Sequence, residues 1–122
     1  MTTTRPTVAS LKRGDVVLVL YPHSDLRTAK RRPALVVQAE NLQTGINQIV
    51  LAMVSSQLGR AAHLSRVKVE VSQPAGRQSG LLQDSLVMTD NLATVLEQAI
   101  DQVVGSLPMQ DVDRALRHTL GL

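Results

Sequence analysis

Four cations crowd one short stretch of this 122-residue chain: Arg27, Lys30, Arg31 and Arg32, the last directly before Pro33. A guanidinium presents a planar fork that matches two phosphate oxygens, and it stays charged at physiological pH. Arg32 leads the group. It stands at the mouth of a predicted strand with Pro33 fixing the backbone behind it, which anchors its side chain on a rigid element. The alternative for Arg32 is an ordinary surface charge; Lys30 and Arg31 bind backbone phosphates or are simply solvated. The adjacent hydroxyls Ser55 and Ser56 close an apolar run, where a hydroxyl can donate to a phosphoryl oxygen or satisfy a turn. Asp90 and Asn91 follow another apolar run. A carboxylate there can accept a proton or cap a turn, and the amide can bond a base edge. His23, in the basic segment, touches a polyanion or is idle.

Composition removes several other chemistries. There is no cysteine, hence no disulfide framework, zinc ribbon or thiol nucleophile. His23, His63 and His118 lie far apart without ligand spacing, so neither a metal nor any other cofactor is expected. Tyr21 is the only aromatic residue, which argues against modules that stack bases on rings. Residues 1–80 hold eleven Lys and Arg against four acids, while residues 81–122 hold two against six. A basic first two-thirds suits a polyanion or an acidic partner segment. No apolar run approaches the roughly 18 residues of a membrane span, and Met1–Ser10 lacks a signal-peptide core. A cytoplasmic protein with no membrane partner is expected.

The elements that must hold these residues are short. Met1–Ser10 is expected to be a flexible lead-in, with one domain over 11–122. Gly14-Asp15 makes a turn before a strand over Val16–Leu20; Tyr21–Arg32 is a polar loop, and Pro33 opens a strand over Ala34–Gln38. Ile49–Val54 is a third strand, and Val67, Val69 and Val71 alternate with Lys68 and Glu70 as a half-exposed fourth. Gln73–Gly80 is a loop, Leu81–Met88 a strand, and Val95–Val104 a short helical turn with a connection. Pro108 starts a C-terminal helix whose apolar face is Met109, Val112, Leu116 and Leu120, with Asp111 and Asp113 early, Arg114, Arg117 and His118 late, and Gly121 as cap. Short strands followed by one packing helix give a mainly-β α+β fold, a small barrel or sheet.

The string Arg13-Gly14-Asp15-Val16-Val17, then Tyr21-Pro22, then Arg32-Pro33-Ala34-Leu35-Val36-Val37 resembles the MazF/PemK family of bacterial toxin ribonucleases. Val50–Ser56, Asp84–Val95 and the C-terminal helix match further family segments in the same order, so the resemblance spans residues 11 to 122. It implies an SH3-like small barrel of the CcdB/PemK type and a homodimer. It also implies metal-independent, sequence-specific cleavage of single-stranded RNA through the 2′-hydroxyl. A cognate antitoxin with an acidic or disordered C-terminal segment would cover the RNA groove. By position, the resemblance makes Arg32, Ser55 and Asp90 catalytic, with Lys30, Arg31, Arg27, His23, Ser56 and Asn91 toward RNA. Ser55 is preferred to Ser56 because neighbouring strand residues face opposite sides.

Three departures stand out. His23-Ser24-Asp25-Leu26-Arg27-Thr28-Ala29 replaces a glycine-rich loop; Met88 stands where some members carry arginine two residues before the acid; Ala93 replaces a frequent arginine. The alternative function is a non-catalytic, CcdB-like module on the same barrel that inhibits DNA gyrase or binds a peptide.

Overall fold

The structure, a computed structural model, describes residues 5–22 and 29–122. Gly14 opens the fold. Its φ of +96° suits a residue without a side chain, and Asp15 ties the turn by accepting the Lys12 amide at 2.8 Å. The Gly14 peptide donates to the Val36 carbonyl and accepts from the Leu107 amide, both at 2.9 Å, joining three distant segments. From there β1 runs over Asp15–Pro22 and β2 over Ala29–Val36. Then come β3 (Gln48–Ser55), β4 (Arg66–Val69), α1 (Pro74–Gln78), β5 (Ser85–Leu96), β6 (Ile100–Ser106) and α2 (Gln110–Leu120).

The six strands form one sheet in the order β4-β5-β3-β2-β1-β6, and every pairing is antiparallel. With its C-terminal helix this is the mainly-β α+β architecture expected, and the barrel-like fold agrees with it. Both faces of the sheet are apolar. Val17, Val19, Ala34, Val36, Leu51, Met53 and Ile100 pack on one face. Val16, Leu35, Ala52, Val54 and Val87 pack on the other, under Leu107 and Val112. Central strands buried on both sides read as continuous Val and Leu runs instead of alternating ones.

Several expected boundaries shift. β2 starts at Ala29, four residues before Pro33, because β1 pairs with it through Pro22↔Ala29. Lys30, Arg31 and Arg32 are therefore strand residues. Pro33 is tolerated inside the strand because pairing to β3 begins only at Ala34. Gln73–Gly80 contains α1, with Pro74 at its first turn. β5 continues past Met88 to Leu96, and Val95–Val104 is the end of β5, a 3₁₀ turn over Glu97–Ala99 and most of β6. α2 begins at Gln110, and Leu120 is 53% exposed, off its packed face. Residues 5–10 of the lead-in are docked: Arg5 donates to the Gln98 carbonyl at 2.9 Å, and Val8 packs against the core.

Candidate active site

The β2–β3 ladder has its rungs at Val36↔Leu51, Leu35↔Ala52 and Ala34↔Met53, and there it stops. Continued by two residues, the same register carries Arg32 to the level of Ser55, the last residue of β3. Residues opposite one another in an antiparallel pair share a face. The row extends across the sheet, since Ser55 faces Leu86 on β5 and Leu86 faces Lys68 on β4. The adjoining row is Ala34, Met53, Met88 and Arg66. One end of one sheet face thus holds Arg32, Ser55, Arg66 and Lys68.

Lys30, Arg31 and Arg32 are all exposed. Arg31 alternates to the face opposite Arg32, where its Nε meets the Asp101 carboxylate at 3.1 Å. Asp101 sits where β6 slips against β1, between the rungs Leu18↔Gln102 and Val19↔Ile100. Ser55 is half-buried, and its Oγ accepts the Gln57 amide at 3.1 Å. That bond occupies a lone pair and leaves the hydroxyl hydrogen to donate elsewhere. Ser56 is exposed beyond the strand end. His23 and Arg27 lie outside the described residues.

Asp90 sits in a bulge of β5. Ala52 pairs with Leu92 and the next residue, Met53, with Met88, so Thr89, Asp90 and Asn91 answer to no residue of β3. Thr89 turns into the structure, its amide and its hydroxyl both donating to the Ser65 carbonyl, at 3.0 and 2.6 Å. Its Oγ1 also meets Thr119 Oγ1 of α2 at 2.8 Å. Asp90 and Asn91 turn out to solvent.

Arg66 takes both oxygens of Asp90, with Nε to Oδ1 at 3.3 Å and Nη2 to Oδ2 at 2.7 Å. That bond, above all, holds the Asp90 carboxyl below the usual carboxylate range; the charges of Arg66 and His63 add to it and partial burial opposes it. Asp90 is not beside Ser55. Four residues of β5, about 13 Å of extended chain, separate it from Leu86, the partner of Ser55. At position 88 the methionine stands directly opposite Arg66, so the guanidinium nearest Asp90 comes from the neighbouring strand.

Residues that local patterns leave unmarked gather here. His63 and His118 meet edge to face, ring centroids 6.0 Å apart. The Ser65 amide donates to His63 Nδ1 at 3.1 Å, which leaves the proton of the neutral ring on Nε2. The one sequence signal for Arg66 was its two-residue spacing from Lys68 on an alternating strand; its partner is 24 residues away. Among the described residues no three His, Asp or Glu side chains gather to hold a metal ion.

A family model for the PemK-like, MazF-like toxin of type II toxin–antitoxin systems matches residues 12–120. The chain belongs to the PemK/MazF toxin family. Endoribonuclease MazF2 of Mycobacterium bovis is 30% identical to it over 107 residues, covering 84% of this chain and 90% of the relative. Endoribonuclease MazF6 of Mycobacterium tuberculosis matches to the same extent. This PemK/MazF chain also shares its fold with solved structures. A mycobacterial endoribonuclease in complex with its cognate antitoxin superposes with TM-score 0.70 at 19% identity, over 92% of this chain and 96% of that one. The Mycobacterium tuberculosis toxin MazF-mt6 gives 0.68 at 19% identity, over 88% and 97%. MazF from a MazE–MazF complex of Deinococcus radiodurans gives 0.65 at 16%, over 98% and 99%. The family description names a toxin, and both relatives are named endoribonucleases.

Proposed function

We propose that this toxin is a sequence-selective endoribonuclease that cuts single-stranded RNA without a metal, in the cytoplasm, as a homodimer restrained by an acidic antitoxin segment. The observation that supports the mechanism is the β2–β3 register: continued two residues past its last rung at Ala34↔Met53, it sets Arg32 level with Ser55 on one face. A phosphodiester seated there meets a fixed positive charge and a hydroxyl donor. The substrate's 2′-hydroxyl gives its proton to solvent water and attacks the adjacent phosphorus. The bond to the 5′-oxygen breaks, that oxygen takes up a proton from water, and the products carry a 2′,3′-cyclic phosphate and a 5′-hydroxyl.

Arg32 stabilises the charge that grows on the non-bridging oxygens, and its very high pKa makes it a poor base. Ser55 donates to one of the same oxygens. Preorganised donors aimed at developing charge are worth about 3–4 kcal/mol each. Lys30 lies two residues from Arg32 on the same strand, exposed, and is assigned to a flanking phosphate, as Asn91 is to a base edge.

Full-length protein freed of antitoxin is incubated with a long single-stranded RNA in EDTA, and fragment ends are mapped beside Arg32→Ala. Discrete cuts with cyclic-phosphate ends, at least about a hundredfold slower in the variant, are expected. Full activity in Arg32→Ala sinks the assignment. RNA left intact by a protein that arrests DNA gyrase would transfer the chain to the CcdB-like reading.

A further inference from the structure

We infer that Arg66 is a second RNA-phosphate-binding residue, separate from the Arg32 and Ser55 level, and that Asp90 serves it as a positioning residue and not as the base of the reaction. The inference rests on the ribonuclease reading above. Three contacts fix the Arg66 guanidinium: Nε and Nη2 to the two oxygens of Asp90, and Nη1 to the Arg60 carbonyl at 3.3 Å. A guanidinium has five N–H donors, so two find no partner among the described residues. The Arg66 side chain keeps 21% of its surface open to solvent. A planar cation held on three sides with donors to spare is preorganised for a phosphate, because little rotamer freedom is left to lose on binding.

Place in the sheet says which phosphate. Arg66 lies on the face that carries Arg32 and Ser55, two strands from Ser55 through β5. Two strand spacings are about 10 Å, too far for the phosphate at Ser55 and within reach of another along the same RNA. Lys68, exposed and two residues on, extends the same positive edge. The diagonal placement of Asp90 explains why it is the residue that grips Arg66. Arg66 pairs with Met88, and Asp90 is two residues further along β5 on that side of the bulge. With both oxygens engaged, and charged down to low pH, Asp90 is a weak proton acceptor at neutral pH. Stability alone gives little reason for the pair, since part-exposed ion pairs contribute only about 0–1 kcal/mol.

The test uses the full-length toxin and a short oligoribonucleotide containing one mapped cut site. KM and kcat are measured for wild type, Arg66→Gln, Arg66→Lys and Asp90→Asn, and RNA affinity against salt is measured in the uncleaving Arg32→Ala background. Arg66→Gln is expected to raise KM about tenfold, with kcat within about threefold, and to lower the salt slope by about 0.7, one single-strand phosphate contact. Arg66→Lys, which keeps the charge without the fork, recovers the slope and only part of the affinity. Asp90→Asn, which loosens the Arg66 guanidinium, raises KM in the same direction as Arg66→Gln while kcat and the acid limb of the pH–rate profile stay. A folded Arg66→Gln or Arg66→Lys with wild-type KM and, for Gln, wild-type slope overturns the phosphate assignment. Loss of kcat with an altered acid limb in Asp90→Asn restores Asp90 as the base. A wild type that neither binds nor cuts the oligonucleotide removes the ribonuclease reading beneath the inference, a result distinct from either.

Discussion

Ser55 and Ser56 are adjacent and chemically identical, and strand geometry alone separates them. Ser55 closes β3 where the continued β2–β3 register meets Arg32, and it keeps a hydroxyl hydrogen to give, while Ser56 has left the ladder. Ser55→Ala is expected to slow cleavage by about a hundredfold and Ser56→Ala by less than about threefold, measured on one RNA with matched thermal stability. Asp90 titrates in a direction that can be checked. Its folded pKa lies below the ordinary value because Arg66 binds the ionised form. The pair therefore contributes stability above about pH 4, the unfolded carboxylate value, and loses it as pH falls through the depressed folded value. Denaturant midpoints followed from pH 6 downward should fall more steeply for wild type than for Asp90→Asn. Arg32 stood out in the sequence because Pro33 follows it, although β2 begins three residues earlier, at Ala29. The tie from Arg66 to Asp90 was not legible in the sequence, because two strands 24 residues apart had to pair first.

Among the elements, β1 and the centre of β3 were legible because β-branched runs bounded by turn residues permit little else. The misplaced boundaries share a cause. Pro33 and Pro74 read as breaks, yet one fell where a neighbour stops pairing and the other at a helix start. Residues 89–91 read as the end of a strand because a bulge has the composition of a turn. Gly14 is a constrained joint among these elements. An added Cβ would sit 3.0 Å from the Leu107 carbonyl in a left-handed backbone conformation. Gly45 has a similar φ, +80°, with nothing near it. Gly14→Ala is expected to destabilise by about 2–3 kcal/mol and Gly45→Ala by about 1, compared by urea unfolding.

At the scale of the whole molecule, the charge asymmetry of the sequence is partly spent inside the fold. Arg13 meets Asp113 at 2.6 Å, Arg31 meets Asp101 and Arg66 meets Asp90, each joining the basic first two-thirds to the acidic last third. The charge count alone could not show this, because it treats every cation as available. The second half of β5 presents Leu92 and Leu96 at 37% and 58% exposure on one face, a surface suited to the proposed homodimer. Sedimentation at micromolar concentration is expected to give about twice the 13.2 kDa of one chain, and Leu96→Glu to lower the mass toward the monomer.

The bulge at Thr89–Asn91 has a consequence for how such a toxin can diversify. Since these three residues match no rung of β3, Asp90 and Asn91 can be exchanged without moving the pairs on either side, Met53↔Met88 and Ala52↔Leu92. Thr89, tied to Ser65 and Thr119, anchors the detour. Under the proposed function, selection can then rewrite which nucleotides the surface tolerates there while the scaffold, and the chemistry proposed for Arg32, stay as inherited.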